Sequence, residues 1–277
     1  KLSSTTYDLD INMQYSVAHI HLADPEYEGL LPYLIETAKK ANVSALVSNA
    51  MDSETSRRTL ALAQEYSGLV YAAVGIHPWN AVSQKETDLG TVSEIATRHR
   101  REIVAIGEIG LDRIYAKEDE HFRIQSEAFR KMLDLAERTG LPIIVHSRGS
   151  IQETLEFIGT SRVKHVLFHW YSGSIKALKE IISNEYRITV GPSLPYSKHI
   201  QEIVKSTPIE CILTETDGPV TYRGPFKGKL TTPEFIPIVV EELAKTIGSK
   251  VEDISGQLMR NFESFFNIEN VRKPEHT

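Results

Sequence analysis

Cysteine is nearly absent from this sequence, with Cys211 the single one in 277 residues. A lone cysteine cannot form an internal disulfide, which excludes the small secreted proteins that depend on a disulfide framework. Cys211 lies inside an apolar run, so we expect a buried packing residue. The lack of disulfides fits a reducing, cytoplasmic setting.

Long hydrophobic runs and an excess of positive charge are also missing. No apolar run approaches the ~20 residues of a transmembrane helix, and no signal-peptide pattern is visible, so we expect no membrane association. Acidic and basic residues are interspersed, and the formal net charge is -6. Proteins that bind nucleic acid usually carry a basic face. The overall charge therefore gives that function no support, although a local basic patch remains compatible with it.

The first twelve residues differ from the rest of the chain. Residues 1–12 are polar and rich in serine and threonine, and we expect a flexible leader there, either added for expression or left from a longer extension. No linker, repeat or low-complexity tract divides the remainder. Residues 13–277 are therefore predicted to form one domain, which is long enough for a well-buried core and needs no obligate protein partner.

Short apolar runs alternate with stretches of helical periodicity along the whole chain. Eight such strand–helix units in roughly 250 residues predict a parallel sheet closed into a TIM (β/α)8 barrel, an α/β fold. The alternative is an open doubly wound sheet. Among the individual elements, Ile209 to Thr216 is predicted as the last strand, a helix is predicted over 85–101, and Gly140 is predicted to end the longest helix.

Six of the predicted strands end on residues that can bind a metal ion. These residues are His19 and His21, His77, Glu108, His146, His169, and Asp217. In a closed barrel all strand ends converge on one mouth, whereas six strand ends of an open sheet could not reach one point. The pattern therefore favours the barrel.

Glu108 follows a buried apolar run, and a buried carboxylate is costly unless it is paired or bound to a metal. Imidazole and carboxylate ligands together suit zinc, manganese or magnesium. Leaving aside His77, which could simply shape a turn with Pro78, six ligands exceed what one tetrahedral ion needs. We therefore predict two divalent ions (Mg²⁺, Mn²⁺ or Zn²⁺), about 3.5–4 Å apart and bridged by Glu108. Such a site activates water for hydrolysis of phosphate esters or amide-like bonds.

Six segments in chain order also carry a family resemblance. They are Ala18-His19-Ile20-His21-Leu22, Val74-Gly75-Ile76-His77-Pro78, Ile106-Gly107-Glu108-Ile109-Gly110-Leu111-Asp112, Ile144-Val145-His146-Ser147-Arg148, Phe168-His169-Trp170-Tyr171-Ser172-Gly173 and Glu215-Thr216-Asp217-Gly218-Pro219. Each resembles a motif of the TatD-type metal-dependent deoxyribonucleases, in the amidohydrolase superfamily. The resemblance runs from Ser16 to about Phe265.

The resemblance implies a TIM barrel and a divalent-metal hydrolase. Several family members degrade DNA from the 3′ end, and some relatives are linked to the removal of D-amino acids from tRNA. It implies that the metal ligands are His19, His21, Glu108, His146, His169 and Asp217. It further implies that His77 faces the substrate phosphate. Asp217 could also accept a proton from the attacking water, because a metal-bound aspartate stays ionised beside it.

The sequence departs from the family pattern at three places. Val17 stands where the family usually has an aspartate, and we expect this change to remove a support of His19 and His21. Gly149 replaces the aspartate of a usual Ser-Arg-Asp segment. The basic segment after the last motif becomes Lys227-Gly228-Lys229-Leu230-Thr231.

Several residues of the predicted mouth loops could bind the substrate. We assign this role to His77, Arg148, Trp170, Tyr171, Ser172 and Arg223. The arginines and the backbone N–H groups at a helix start would bind phosphates, and the aromatic rings would stack on bases. Trp79 and Tyr222 could equally stack on bases or cover the barrel rim.

Three functions follow as hypotheses. The leading one is a divalent-metal-dependent phosphodiesterase, most similar to a 3′-end deoxyribonuclease acting on single-stranded DNA or another nucleic acid. The alternative is a hydrolase of amides, lactones or aminoacyl esters, including D-aminoacyl-tRNA. The third is a catalytically silent metal-binding or assembly protein. Many superfamily barrels bridge two metals with a modified lysine, and Glu108 in the fourth strand favours the nuclease-like branch instead.

Overall fold

Eight parallel strands form one sheet in which spatial order follows chain order. They belong to a computed structural model that describes residues 13–83 and 86–268, so the predicted leader and residues 269–277 lie outside the described residues. The strands are β1 Tyr15–Ile20, β2 Val43–Asn49, β3 Val70–Val74, β4 Ile103–Gly110, β5 Ile143–His146, β6 Val166–Phe168, β7 Arg187–Val190 and β8 Ile212–Thr214.

The ends of β1 and β8 meet and close the sheet into a nearly complete barrel. The backbone N–H of Asp217 donates to His19 O at 3.0 Å, and that of His21 donates to Gly218 O at 2.9 Å. The TIM-barrel prediction is therefore confirmed, and the open-sheet alternative is wrong. The seam lies beside two of the predicted ligand segments.

Helices fill the connections between strands. Their bounds are α1 Leu31–Lys40, α2 Ser53–Glu65, α3 Pro78–Ser83, α4 Glu86–Arg98, α5 Asp119–Thr139, α6 Ile151–Gly159, α7 Ile175–Ser183, α8 Lys198–Lys205, α9 Ile236–Ile247 and α10 Val251–Phe266. Among the residues that the structure describes, no helix combines the length and apolar character needed to cross a membrane.

Among the described residues, two large hydrophobic clusters form the barrel core, and a small third one joins Tyr222, Phe226 and Phe235. The first of the two large clusters joins strand residues to the inner faces of the surrounding helices. The second joins small strand residues such as Ala18, Ala45 and Ala73 to Phe262 and Phe266 of α10. Both faces of most strands are thus covered by apolar side chains, which explains why these strands appear in the sequence as continuous apolar runs.

Three predictions about single elements need correction. Residues Ile209–Cys211 form a 3-10 turn after Pro208, so β8 begins only at Ile212. Cys211 is accordingly half-buried rather than buried. The helix predicted over 85–101 is α4, of which residue 85 lies outside the description, and the separate α3 before it was not predicted.

Candidate metal centre

Glu108 lies at the centre of the predicted ligand set, on β4, with 1% of its surface exposed. One carboxylate oxygen, Oε1, lies 2.8 Å from both His146 Nδ1 and His169 Nε2 and 3.2 Å from His77 Nε2. The other, Oε2, lies 3.3 Å from His19 Nε2 and 3.2 Å from His21 Nε2. Each oxygen therefore faces a different half of the site.

The half at Oε2 is built at the seam of the barrel. His19 and His21 bring their Nε2 atoms to 3.1 Å from each other. Asp217 Oδ1 lies 3.2 Å from the first and 3.5 Å from the second of these nitrogens. Asp217 lies three residues after the end of β8 and adopts a left-handed backbone (φ 49°), with its side chain beside the two histidines.

The half at Oε1 comes from β3, β5 and β6. His146 Nδ1 and His169 Nε2 are 3.2 Å apart, and the rings of His77 and His146 meet edge to face at 4.7 Å. The backbone N–H of Trp79 donates to His77 Nδ1 at 3.2 Å. In the neutral ring this leaves the proton on Nε2, the nitrogen that points at Glu108.

The histidines also contact acceptors outside the cluster. His146 Nε2 lies 2.9 Å from Asp112 Oδ2, and His169 Nδ1 lies 3.6 Å from Glu215 Oε2. His21 Nδ1 lies 3.0 Å from the carbonyl oxygen of Asn49. Such outer partners orient a metal-binding imidazole and fix which nitrogen carries the proton.

Sequence reasoning missed the roles of Asp112 and Glu215. Both are buried, with 0% and 1% of their surface exposed. A usable signal existed for Glu215, because residues two apart in an extended segment point to the same side and Glu215 precedes Asp217 by two. Asp112 follows the bend of Gly110, so strand alternation could not indicate its direction.

Electrostatics inside the cluster favour charged carboxylates. Burial alone would raise the pKa of Glu108, but the surrounding histidines outweigh it and hold the pKa well below the usual value. Hydrogen bonds from His19 and His21 likewise outweigh burial and lower the pKa of Asp217. Burial lowers the pKa of His77 to about 4, so that imidazole is neutral at pH 7.

The donor set fits divalent metal ions. Among the described residues, Glu108 Oε2, His169 Nδ1 and Glu215 Oε2 are buried without a hydrogen-bond partner, and buried polar atoms rarely remain so unless something else binds them. Three groups of donor atoms each lie within 4.8 Å of one another: His19, His21 and Asp217; His19, His169 and Glu215; and His77, Glu108 and His146. Mixed imidazole and carboxylate donors suit zinc, manganese or iron.

Two of the three departures from the family pattern, Val17 and Gly149, have local explanations. Val17 is fully buried in the hydrophobic cluster shared with the outer helices, and the pairing register of β1 shifts between Val17 and Ile20. Its side chain therefore packs among apolar groups, while His19 and His21 still meet. Gly149 has φ 70°, a left-handed conformation that favours glycine.

The predicted substrate-binding residues occupy different environments. Arg148 donates through Nε to Asp112 at 3.0 Å with its side chain half exposed. Arg223 and Ser172 are exposed on the loops after β8 and β6. Trp170 is half-buried, adopts φ 40° and donates its backbone N–H to Thr189 Oγ1 at 2.8 Å.

Tyr171 and Tyr222 do not offer a free ring. Tyr171 is 2% exposed and donates its hydroxyl to Ser174 O at 2.7 Å. Tyr222 is 6% exposed and donates to Thr216 O at 2.7 Å. Because a base needs an open ring face, the stacking predicted for Tyr171 is wrong, and Tyr222 covers the rim.

Comparison with known proteins agrees with this architecture. The family model described as "TatD related DNase" matches residues 18–267. An uncharacterized metal-dependent hydrolase from Methanocaldococcus jannaschii is 33% identical over 92% of this chain and 98% of its own length. The deoxyribonuclease TATDN3 of Homo sapiens is 31% identical over 85% of this chain and 88% of its own. The crystal structure of YJJV, a TatD homolog from Escherichia coli, superposes with a TM-score of 0.85 at 27% identity, covering 93% and 99% of the two chains.

Proposed function

The chain belongs to the TatD-related DNase family, and on this premise we propose that it is a divalent-metal-dependent hydrolase of phosphodiester bonds that releases nucleotides from the 3′ end of single-stranded DNA. The observation that carries the proposal is the division of contacts at Glu108, whose two oxygens face different groups of histidines. One carboxylate between two donor groups is the arrangement expected for a bridge between two ions.

Six residues would hold the metal ions in this proposal. His19, His21 and Asp217 would form one site and His146 and His169 the other, with Glu108 shared. When bound, the ions would lower the pKa of a water and neutralise phosphate charge. The ions would be Mg²⁺, Mn²⁺ or Zn²⁺, all compatible with imidazole and carboxylate donors.

Two residues would act directly on the reacting groups. Asp217 stays ionised because its pKa is lowered, so it can accept a proton from the attacking water. His77 is neutral at pH 7 and carries its proton on Nε2. That N–H faces Glu108 Oε1 at 3.2 Å, and on substrate binding it would pass from this carboxylate to a non-bridging oxygen of the scissile phosphate. Arg148 and Arg223 would neutralise neighbouring phosphates, and Ser172 and Trp170 would line the path of the strand.

A second function uses the same residues. Hydrolysis of amides, lactones or aminoacyl esters, including D-aminoacyl-tRNA, needs the same activated water. Many superfamily barrels bridge two metals with a modified lysine, and Glu108 at this position favours hydrolysis of phosphodiesters instead. Release of nucleotides from single-stranded DNA, measured beside a panel of ester and amide substrates, separates the two.

The first experiment compares the purified chain with Glu108→Ala. We expect bound divalent metal by mass spectrometry, and Mg²⁺- or Mn²⁺-dependent release of nucleotides from a 3′-labelled single strand. Glu108→Ala should lower that rate about 10²-fold or more, because both metal sites lose a shared ligand. Unchanged circular dichroism would show that the variant folds.

A matched control is available next to the same strand. Glu102 is an exposed carboxylate that accepts from Gln64 at 2.6 Å, just before β4 begins. Glu102→Ala should leave metal content and rate within twofold of the unaltered chain. Metal content without any phosphodiester hydrolysis would move the assignment to the ester or amide reaction, and no activity on any substrate would favour the silent metal-binding protein.

A further inference from the structure

We propose that Trp79, Tyr115 and Arg148 form a subsite for one unpaired nucleobase and its adjoining phosphate, at the edge of the metal centre. We call these three residues the stacking subsite. The inference rests on the proposed function, because it names the part of a nucleic-acid strand that the site recognises. Neither Tyr115 nor the arrangement of the three side chains could be inferred from the sequence.

A single buried carboxylate fixes all three residues. Asp112 has no exposed surface. It accepts from Trp79 Nε1 at 2.7 Å, from Arg148 Nε at 3.0 Å and from the backbone N–H of Tyr115 at 2.9 Å. Its fourth contact is His146 Nε2 at 2.9 Å. The subsite is therefore held in place before any ligand arrives, which lowers the entropic cost of binding.

The two rings form a ready platform. Trp79 and Tyr115 stack with centroids 5.5 Å apart and planes 23° from parallel, and they are 36% and 46% exposed. The Arg148 guanidinium carbon lies 5.3 Å from the Trp79 ring centroid. Since its Nε is engaged by Asp112, its Nη groups are the donors left for a phosphate.

The subsite adjoins the group that would face the scissile phosphate. The Trp79 ring meets His77 edge to face at 4.9 Å and His146 at 6.2 Å. A ring stacked on the platform would thus belong to a nucleotide close to the bond that is cut. Each base of a duplex is already stacked on its neighbours, so only an unpaired base can use the platform. The geometry therefore favours single strands or frayed ends.

The test compares one strand with and without bases. A short oligothymidylate and the same strand carrying base-free tetrahydrofuran residues at its 3′ end serve as substrates. Because stacking on one aromatic ring contributes about 1–3 kcal/mol per base, Tyr115→Leu should lower kcat/KM about tenfold on the first and less than twofold on the second. Tyr115→Phe keeps the aromatic ring, so its kcat/KM should equal that of the unaltered chain on both strands.

Tyr33→Leu is the matched control. Tyr33 lies on α1 and is 48% exposed, close to the 46% of Tyr115, yet it has no contact with Asp112 among the described hydrogen bonds. Tyr33→Leu should leave kcat/KM unchanged on both substrates. Equal losses on both strands in Tyr115→Leu, or no loss on either, would overturn the subsite.

A binding measurement separates this proposal from the proposed function. The sequence has two tryptophans, Trp79 and Trp170, and Tyr115→Leu keeps both, so a loss of quenching in Tyr115→Leu identifies the part that comes from the platform of the unaltered chain. With hydrolysis blocked by EDTA, oligothymidylate should quench the tryptophan fluorescence to saturation, and the base-free strand should quench it at least fivefold more weakly. Quenching without any hydrolysis would keep the subsite and reject the nuclease. Hydrolysis without base-dependent quenching would keep the nuclease and reject the subsite.

Discussion

At the scale of single residues, the proposed metal centre depends on the groups that lie behind its histidines. Each imidazole has two nitrogens, and the one that faces away from the ion must carry the proton. Asp112 accepts from His146, and the carboxylate of Glu215 lies 3.6 Å from His169 Nδ1. We therefore predict that the charge of Glu215 positions His169, although Glu215 is not a member of the predicted ligand set.

Replacing Glu215 with glutamine tests this role. Glutamine keeps the shape of the side chain but removes its charge, so the Nδ1 side of His169 loses the carboxylate charge that lies 3.6 Å from it. We expect Glu215→Gln to lower metal affinity about 10- to 100-fold, as is typical of outer partners of metal-binding histidines. Competition with a chromophoric chelator measures the dissociation constant directly, without relying on activity.

Glu210→Gln provides the comparison. Glu210 is exposed in the 3-10 turn that precedes β8, so the same chemical change occurs at the opposite end of the same strand. Its metal affinity should match that of the unaltered chain. If Glu215→Gln binds metal as tightly as Glu210→Gln does, the carboxylate behind His169 has no positioning role.

The predicted ligands were accessible from sequence because a strand end is a local signal. A donor such as His146 directly after an apolar run needs no knowledge of the fold to be noticed. The direction in which a loop side chain points, by contrast, is not indicated by the local sequence. Tyr171 follows the ligand His169 by two residues, yet its ring turns inward and bonds to Ser174. No periodicity exists in a loop to indicate this orientation.

At the scale of elements, the end of α5 could be predicted from the sequence, whereas the start of β8 could not. α5 stops at Gly140, which takes φ 62° as its left-handed cap. Glycine favours this conformation because it has no Cβ. By contrast, Ile209–Cys211 is apolar enough for a strand but forms a 3-10 turn after Pro208. A short apolar run alone does not distinguish these two conformations.

The left-handed cap of α5 can be tested by replacing glycine with alanine at Gly140 and, for comparison, at Gly90. A Cβ added to either would meet no atom within 4 Å, and only Gly140 has a positive φ. Gly140→Ala should therefore lower the free energy of unfolding by about 1 kcal/mol, the cost of a left-handed non-glycine residue. Urea denaturation at constant pH measures the change.

Gly90→Ala should have the opposite sign. Gly90 lies inside α4, where alanine stabilises a helix by about 0.5–1 kcal/mol relative to glycine. The comparison removes side-chain packing as an explanation, since neither new methyl group contacts a neighbour. A stabilising effect of Gly140→Ala would show that α5 does not depend on its left-handed cap.

At the scale of the whole molecule, the barrel brings distant segments to one mouth. Counting strand–helix units was sufficient to predict it, since a sheet of eight parallel strands closes on itself. The seam could not be predicted in detail, because it depends on backbone contacts between the two ends of the chain. Asp217 N donates to His19 O there, which places first- and last-strand ligands side by side.

The final prediction concerns the stability that metal ions give to this assembly. The proposed ligands come from β1 and from the ends of four other strands, including both sides of the seam, so bound ions would tie the barrel together at one end. An ion at a hundredfold its dissociation constant stabilises the folded state by about 2.7 kcal/mol. For a domain of this size we expect Mn²⁺ or Zn²⁺ to raise Tm by roughly 5 °C relative to EDTA.

The variants distinguish the proposed site from adventitious metal binding. Glu108→Ala should lose most of the shift, because removing the shared carboxylate weakens both halves together, whereas Glu102→Ala should keep it in full. A shift that persists in Glu108→Ala would mean that the stabilising ion binds elsewhere on the chain. Loss of the whole shift, rather than half of it, would show that both halves depend on Glu108.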